Sequence, residues 1–170
     1  MLENLKKYRV ILASNSPRRK ELLTGLQLDY EVKVLPGINE SYPEHLAGEE
    51  IPRYIAREKA DAYREEMSAR DLIITADTIV YIDGEVLGKP ADATDAVRML
   101  KKLSGRTHQV ITGVCLTTTN FQHTFSSVTE VTFAELSDEE IGFYVEHFRP
   151  FDKAGAYGVQ EWIGYVGVTG

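Results

Sequence analysis

Two short stretches place reactive side chain types where a purely structural segment has little use for them. In LASNSPRRKELL (residues 12–23), an apolar run of Val10, Ile11, Leu12 and Ala13 gives way to two serines, a proline and two arginines. A helix that starts at Pro17 leaves the first backbone amides, up to Lys20, without helical partners, and these together with the positive dipole end attract anions such as phosphate. Ser14 and Ser16 add hydroxyl donors, and Arg18 and Arg19 add forked cations. Taken singly, Ser16 can be a helix cap and the arginines can be solvated. Their joint placement at a strand-to-helix turn points to an anion site. In ITADTIV (residues 74–80), Asp77 interrupts an apolar strand. A desolvated carboxylate requires a partner there, either a lysine in a structural ion pair or a bound cation.

Other candidates gain meaning only in company. Lys59 in AREKADA, Lys89 in LGKPADA and Glu40 in GINES are residue types that solvent usually claims. PFDKAGAYGVQ (residues 150–160) combines two glycines, which let backbone approach a ligand closely, with Asp152, Lys153 and Gln160. The histidines His45, His108, His123 and His147 lack metal-ligand spacing, and the lone Cys115 excludes a cysteine-built zinc site. Carboxylates are therefore the better ligand candidates, which favours a hard divalent cation, Mg²⁺ or Mn²⁺.

The elements that must position these residues alternate. A strand is predicted over Tyr8–Ala13, then a helix over Arg18–Thr24 with Ser16 as N-cap, Pro17 at N1 and Gly25 as C-cap. An extended stretch over Tyr30–Leu35 precedes a long amphipathic helix from Glu49 to Met67. Leu72–Ile82 and Glu85–Leu87 form a hairpin across Asp83-Gly84, and Ala93–Leu103 forms a helix ended by Ser104-Gly105. Two strands over His108–Thr118 and Phe125–Ala134 meet near Asn120, and Ser137 with Glu140 makes a capping box for a helix that ends before Pro150. This order predicts an α/β fold, a mixed, largely extended sheet with flanking helices.

The 170 residues, 43% of them apolar, suit a single domain over 1–170. With 26 acidic and 19 basic residues and a net charge of -7, a nucleic-acid polymer or an anionic membrane is not the expected partner. One cysteine, no signal-like N-terminus and no apolar run of about 18 residues predict a soluble cytoplasmic protein.

LASNSPRRKELL, Lys59-Ala60, ADTIV, GKP (88–90), SGRTHQVITGV and FDKAGAYGVQ together, in this order, closely resemble the Maf family of nucleoside triphosphate pyrophosphatases. The resemblance implies an ITPase-like fold of two α/β lobes around a central cleft. It also implies hydrolysis between the α and β phosphates to give a monophosphate and pyrophosphate, in a house-cleaning role, within a family first noted for septum formation. The DKAGAYGVQ form is similar to the branch acting on dTTP and UTP; the branch acting on 7-methyl-GTP is the runner-up. By resemblance Asp77 accepts the proton of the attacking water. Arg18, Thr78 and Gln160 match positions tied to substrate choice, and Ser14, Ser16, Arg19, Glu40, Lys59 and Lys89 fall among those that line the cleft. A divalent cation, with Asp77 and Glu40 as ligands, would neutralise the leaving pyrophosphate. A homodimer is the expected assembly. Family members usually continue with a further strand and short helix, so a chain that stops at Gly170 is expected to lack them. The competing class is a nucleotide-binding regulator of cell division with incidental hydrolysis. Asp77 speaks against it, because binding a polyanion gains nothing from a carboxylate unless a cation bridges the two, whereas hydrolysis needs a base.

Overall fold

The strand that opens the fold, Arg9–Leu12 (β1), is seated by a two-point ion pair. Arg9 donates through Nε and Nη2 to Asp71 at 2.8 and 3.2 Å, and the buried Asp71 also accepts from the Ser68 amide and hydroxyl at 2.9 and 3.0 Å. The computed structural model describes residues 6–159 and 161–170. In chain order the elements are β1, Pro17–Gly25 (α1), Glu31–Val32 (β2), Glu50–Tyr63 (α2), Asp71–Ile82 (β3), Glu85–Leu87 (β4), Ala93–Leu103 (α3), Thr107–Thr117 (β5), Gln122–Thr132 (β6), Asp138–Phe148 (α4) and Trp162–Val166 (α5). The strands make one six-stranded sheet in the order β2-β1-β3-β5-β6, with β4 on β3. β1 runs parallel to β2 and β3, while β3 and β4 are antiparallel. The mixed α/β sheet with flanking helices is as the sequence predicts.

Local chemistry explains both the agreements and the shifts. The β3–β4 turn has positive φ at Asp83 and Gly84, 53° and 75°, as a two-residue hairpin turn of this twist requires. The Ser137–Glu140 capping box forms in full. Helix α1 runs through Gly25 instead of being capped by it: the Leu26 amide bonds back to the Leu22 and Leu23 carbonyls, and the left-handed residue is Gln27. The stretch Tyr30–Leu35 contributes only two residues to the sheet, since β1 offers β2 partners only at Ile11 and Leu12. β6 starts three residues before Phe125, at Gln122, and the sequence did not announce the 3-10 turn Ala154–Ala156 or α5.

The chain divides into two compact units, one of residues 1–77 and 112–127, the other of 78–111 and 128–170, so that the division falls inside β3 between Asp77 and Thr78. In the first unit α2 lies close on the sheet because the residues between them are small. Ala56, Ala60 and Cys115 are fully buried together, and a Cβ on Gly113 would collide with the backbone of Pro52 and Arg53. Tyr63, at the end of α2, packs with Ile11 and Ile73, and its hydroxyl accepts the Leu35 amide at 2.9 Å.

The second unit is built on a larger apolar cluster in which Leu87, Leu100, Leu103, Phe133, Tyr144 and Ile163 are buried. His108 sits in it, 2% exposed, with Nε2 2.7 Å from the Tyr157 hydroxyl and its ring edge-on to Phe133. Burial pulls the His108 pKa from 6.5 down to about 4. A folded-state pKa below the unfolded one means that the unfolded chain takes up the proton first. Stability is then complete above about 6.5 and falls as the pH drops through the window down to about 4, by up to roughly 3 kcal/mol. Urea unfolding of wild type and His108→Gln across that window should show a steep pH slope in the wild type and a shallower one in the variant.

Candidate active site

The connection from β1 leads to β2 on one side, and the chain then crosses to β3 on the other side of β1. The carboxyl ends of β1 and β3 therefore mark a point where strand order reverses, the usual place for ligands in open α/β sheets. Ser14 follows β1 there, and Asp77 lies three residues past Ile74, the β3 partner of Leu12. In the turn, Ser16 caps α1 by accepting the Arg19 amide at 3.3 Å. Ser14 Oγ accepts the Ser16 amide at 3.1 Å and Arg19 Nη1 at 3.2 Å. Both lone pairs of that hydroxyl are then engaged, which leaves its proton to donate.

Helix α2 delivers Lys59 to the same carboxyl ends. Its Nζ donates to the Ala76 carbonyl at 3.0 Å, pairs with Glu40 Oε1 at 3.0 Å and reaches Asp77 Oδ1 at 3.4 Å. Tyr63, through the Leu35 amide, holds the start of the loop that carries Glu40. Asp77 Oδ2 is buried and has no hydrogen-bond partner among the described residues. Burial pushes the Asp77 carboxyl above its ordinary pKa; Lys59 and Arg19 oppose that, and Glu40 adds to it. Burial likewise weakens the Arg19 guanidinium's hold on its proton, against the pull of Asp77 and Glu40. Two cations and two carboxylates thus share one partly desolvated place, with one carboxylate oxygen left over.

The first unit accordingly brings together Ser14, Ser16, Arg19, Glu40, Lys59 and Asp77. Arg18 is exposed on α1. Thr78, next after Asp77, begins the second unit, where Lys89 is exposed beyond β4; the Asp152 carboxyl is held below its usual range mainly by its hydrogen bond from Lys153, with Lys89 adding to it. Gln160 lies outside the described residues. Among the described residues no three metal-binding side chains converge. Asp77 and Glu40 nevertheless meet at Lys59, and the unpartnered Asp77 Oδ2 suits a hard divalent ion, which usually takes one or two carboxylates and completes its shell with phosphate oxygens and water. Sequence reasoning missed the Ala76 carbonyl, Thr75 and Tyr63. Backbone acceptors carry no residue signature, and a threonine or tyrosine in an apolar run reads as core. It also passed over Asp71, which opens the same strand, is more deeply buried than Asp77, and is fully satisfied.

The model of the Maf-like protein family matches residues 9–170. The chain belongs to this family. Its similarity to curated relatives runs over the whole chain: it is 68% identical to a dTTP/UTP pyrophosphatase of Phocaeicola vulgatus, covering 100% of this chain and 88% of that one. It is 64% identical to a dTTP/UTP pyrophosphatase of Bacteroides thetaiotaomicron, over 99% and 87% of the two chains. A solved structure of a HAM1 protein from Coxiella burnetii matches with a TM-score of 0.52 at 17% identity, over 76% of this chain and 74% of that one, and speaks to the fold alone.

A raised folded-state pKa means that the contribution of Asp77 to stability is fully present below the unfolded pKa and is lost as pH rises through the folded value. At neutral pH the ionised Asp77 therefore weakens this Maf-like fold. Asp77→Asn should melt higher than wild type at neutral pH, with the gain shrinking as pH falls toward the ordinary carboxylate range. Thermal unfolding followed by circular dichroism at several pH values checks this; a variant less stable at neutral pH would show that the pairing with Lys59 outweighs the desolvation.

Proposed function

We propose that this protein hydrolyses dTTP and UTP, and modified pyrimidine relatives, to the monophosphate and pyrophosphate. The observation that carries the reading is the Asp77 carboxylate, desolvated, raised in pKa and with Oδ2 unpartnered among the described residues, set beside two cations. A pure nucleotide binder gains nothing from such a group unless a cation bridges the two, whereas a base of elevated pKa is what activation of water requires. The names of the relatives support the substrate class.

In this mechanism Asp77 takes a proton from the attacking water. The water oxygen bonds to the α-phosphorus, the bond from that phosphorus to the oxygen bridging to the β-phosphate breaks, and its electron pair leaves with pyrophosphate. Arg19, the Ser14 hydroxyl and the start of α1 bind phosphate oxygens, with Ser16 fixing that helix start. Lys59 keeps Asp77 and Glu40 in place. Glu40, with Asp77 beside it, would hold Mg²⁺ or Mn²⁺, which supplies neutralisation of the leaving group. Arg18, Thr78, Lys89 and Gln160 enter by their motif positions, Lys89 for phosphate and the others for choice of base. The same reading makes the protein a cytoplasmic house-cleaning enzyme and a homodimer, with no membrane or nucleic-acid polymer as partner. Among the described residues no helix is long and apolar enough to cross a membrane.

Pyrophosphate release from dTTP and UTP should be robust with Mg²⁺, should stop reversibly in excess EDTA, and should fall about 100-fold or more in Asp77→Asn. Near wild-type turnover by that variant would make Asp77 structural.

Uracil and thymine offer O4 as acceptor and N3–H as donor, which one amide can meet together. A fixed amide of this kind is worth roughly 1 to 3 kcal/mol of discrimination. The ratios of kcat/KM for dTTP and UTP over CTP and GTP should therefore drop in Gln160→Ala; ratios that survive undiminished would show that Gln160 does not read the base.

A further inference from the structure

Lys59 must arrive within ångströms of Asp77 from a different element; Arg53 to Ser126 and Asp61 to Gln122 tie the outer side of α2 to β6, while the buried seam between α2 and the sheet is mostly apolar. The methyl groups of Ala56 and Ala60 and the thiol of Cys115 fill that seam completely, yet apolar contact has no direction along it. Thr75 is different. It is fully buried on β3, two residues before Asp77, and its Oγ1 donates to the Ala56 carbonyl of α2 at 2.7 Å, with the Cys115 carbonyl 3.5 Å away. The Ala56 carbonyl already serves the helix as an acceptor, so the threonine adds a second, sideways bond at a fixed level of α2. Lys59 stands one turn further along the same face.

We infer that Thr75 is a positioning residue: its hydroxyl pins α2 to β3 at Ala56 and thereby sets where the Lys59 ammonium stands between Ala76, Asp77 and Glu40. The inference rests on the site reading given above and adds to it a residue outside the binding machinery. A methyl in place of the hydroxyl cannot remain 2.7 Å from a carbonyl oxygen, because carbon-to-oxygen contacts start at about 3.3 Å. Thr75→Val therefore lifts the helix as well as unpinning it, whereas Thr75→Ser keeps the bond.

The test is a double-mutant cycle on kcat/KM for dTTP, with wild type, Thr75→Val, Lys59→Met and the double variant, and Thr75→Ser alongside. Displacement of Lys59 by a fraction of an ångström should lower the Thr75→Val value about tenfold. Thr75→Ser should stay within about twofold of wild type, and in the Lys59→Met background Thr75→Val should change the value less than about twofold, since nothing remains to misplace. Thermal midpoints track folding separately. If Thr75→Val does not accumulate as folded protein, Thr75→Ala, which removes the hydroxyl without adding bulk against Ala56, takes its place in the cycle. Losses that add across the cycle, a Thr75→Ser variant as impaired as Thr75→Val, or a fully active Thr75→Val would each overturn the inference. If these occur while Asp77→Asn is inactive, only the positioning role falls. Asp77→Asn turning over like wild type would instead bring down the site reading and the inference with it.

Discussion

One ammonium group organises the first unit. Lys59 Nζ, on a half-buried side chain, is shared by the Ala76 carbonyl, Glu40 and Asp77, which come from β3 and from the loop after β2. Without it two carboxylates would face each other in a partly desolvated place, which Coulomb repulsion and burial both oppose. The small residues of the seam, the glycine at 113 and the Tyr63 contact to Leu35 all bear on whether that ammonium can be where it is. The anchoring pair of Arg9 and Asp71 does the complementary task of registering β1 on β3, so that the turn after one strand and the carboxylate of the other lie at the same end.

The two carboxylates of β3 show how residues of one type in one strand can differ in role. Asp71 has hydrogen bonds from Arg9 and Ser68 on both oxygens, and they hold its pKa below the ordinary value despite burial. Asp77 has one oxygen bonded at 3.4 Å and the other without a partner among the described residues, and burial wins. A satisfied carboxylate is a poor base; an under-satisfied one retains basicity that the fold has not used up.

Much of this was legible in the residues. The serine cap and N1 proline of α1, the Asp83-Gly84 hairpin, the α3 span and the α4 capping box follow from short-range rules and occur where those rules put them. Asp77 stood out as a charge inside an apolar strand, and the strand-to-helix turn stood out by its serines and arginines. Glu40 and Lys59 did not stand out from the residues alone, because each is ordinary for its segment and becomes notable only when the loop after β2 and α2 bring them together. The ends of β2 and β6 were misjudged for the same reason, since pairing partners decide where a strand stops. Asp71 escaped notice because its main partner is 62 residues away.

The turn after β1 has a further consequence for what can dock there. Its donors are a guanidinium, a hydroxyl with both lone pairs already engaged, and the Arg18 amide at the start of α1, since the Arg19 and Lys20 amides already bond to Ser16. Those three groups have protons to give and no acceptor to spare. A fully ionised phosphate suits them, whereas a phosphate hydroxyl or an amide hydrogen aimed at the same three groups would meet another hydrogen. The turn thus tells apart two ionisation states of one ligand and not merely its size, so acidifying the medium would weaken docking through the ligand's own titration even if no side chain of the protein changed charge.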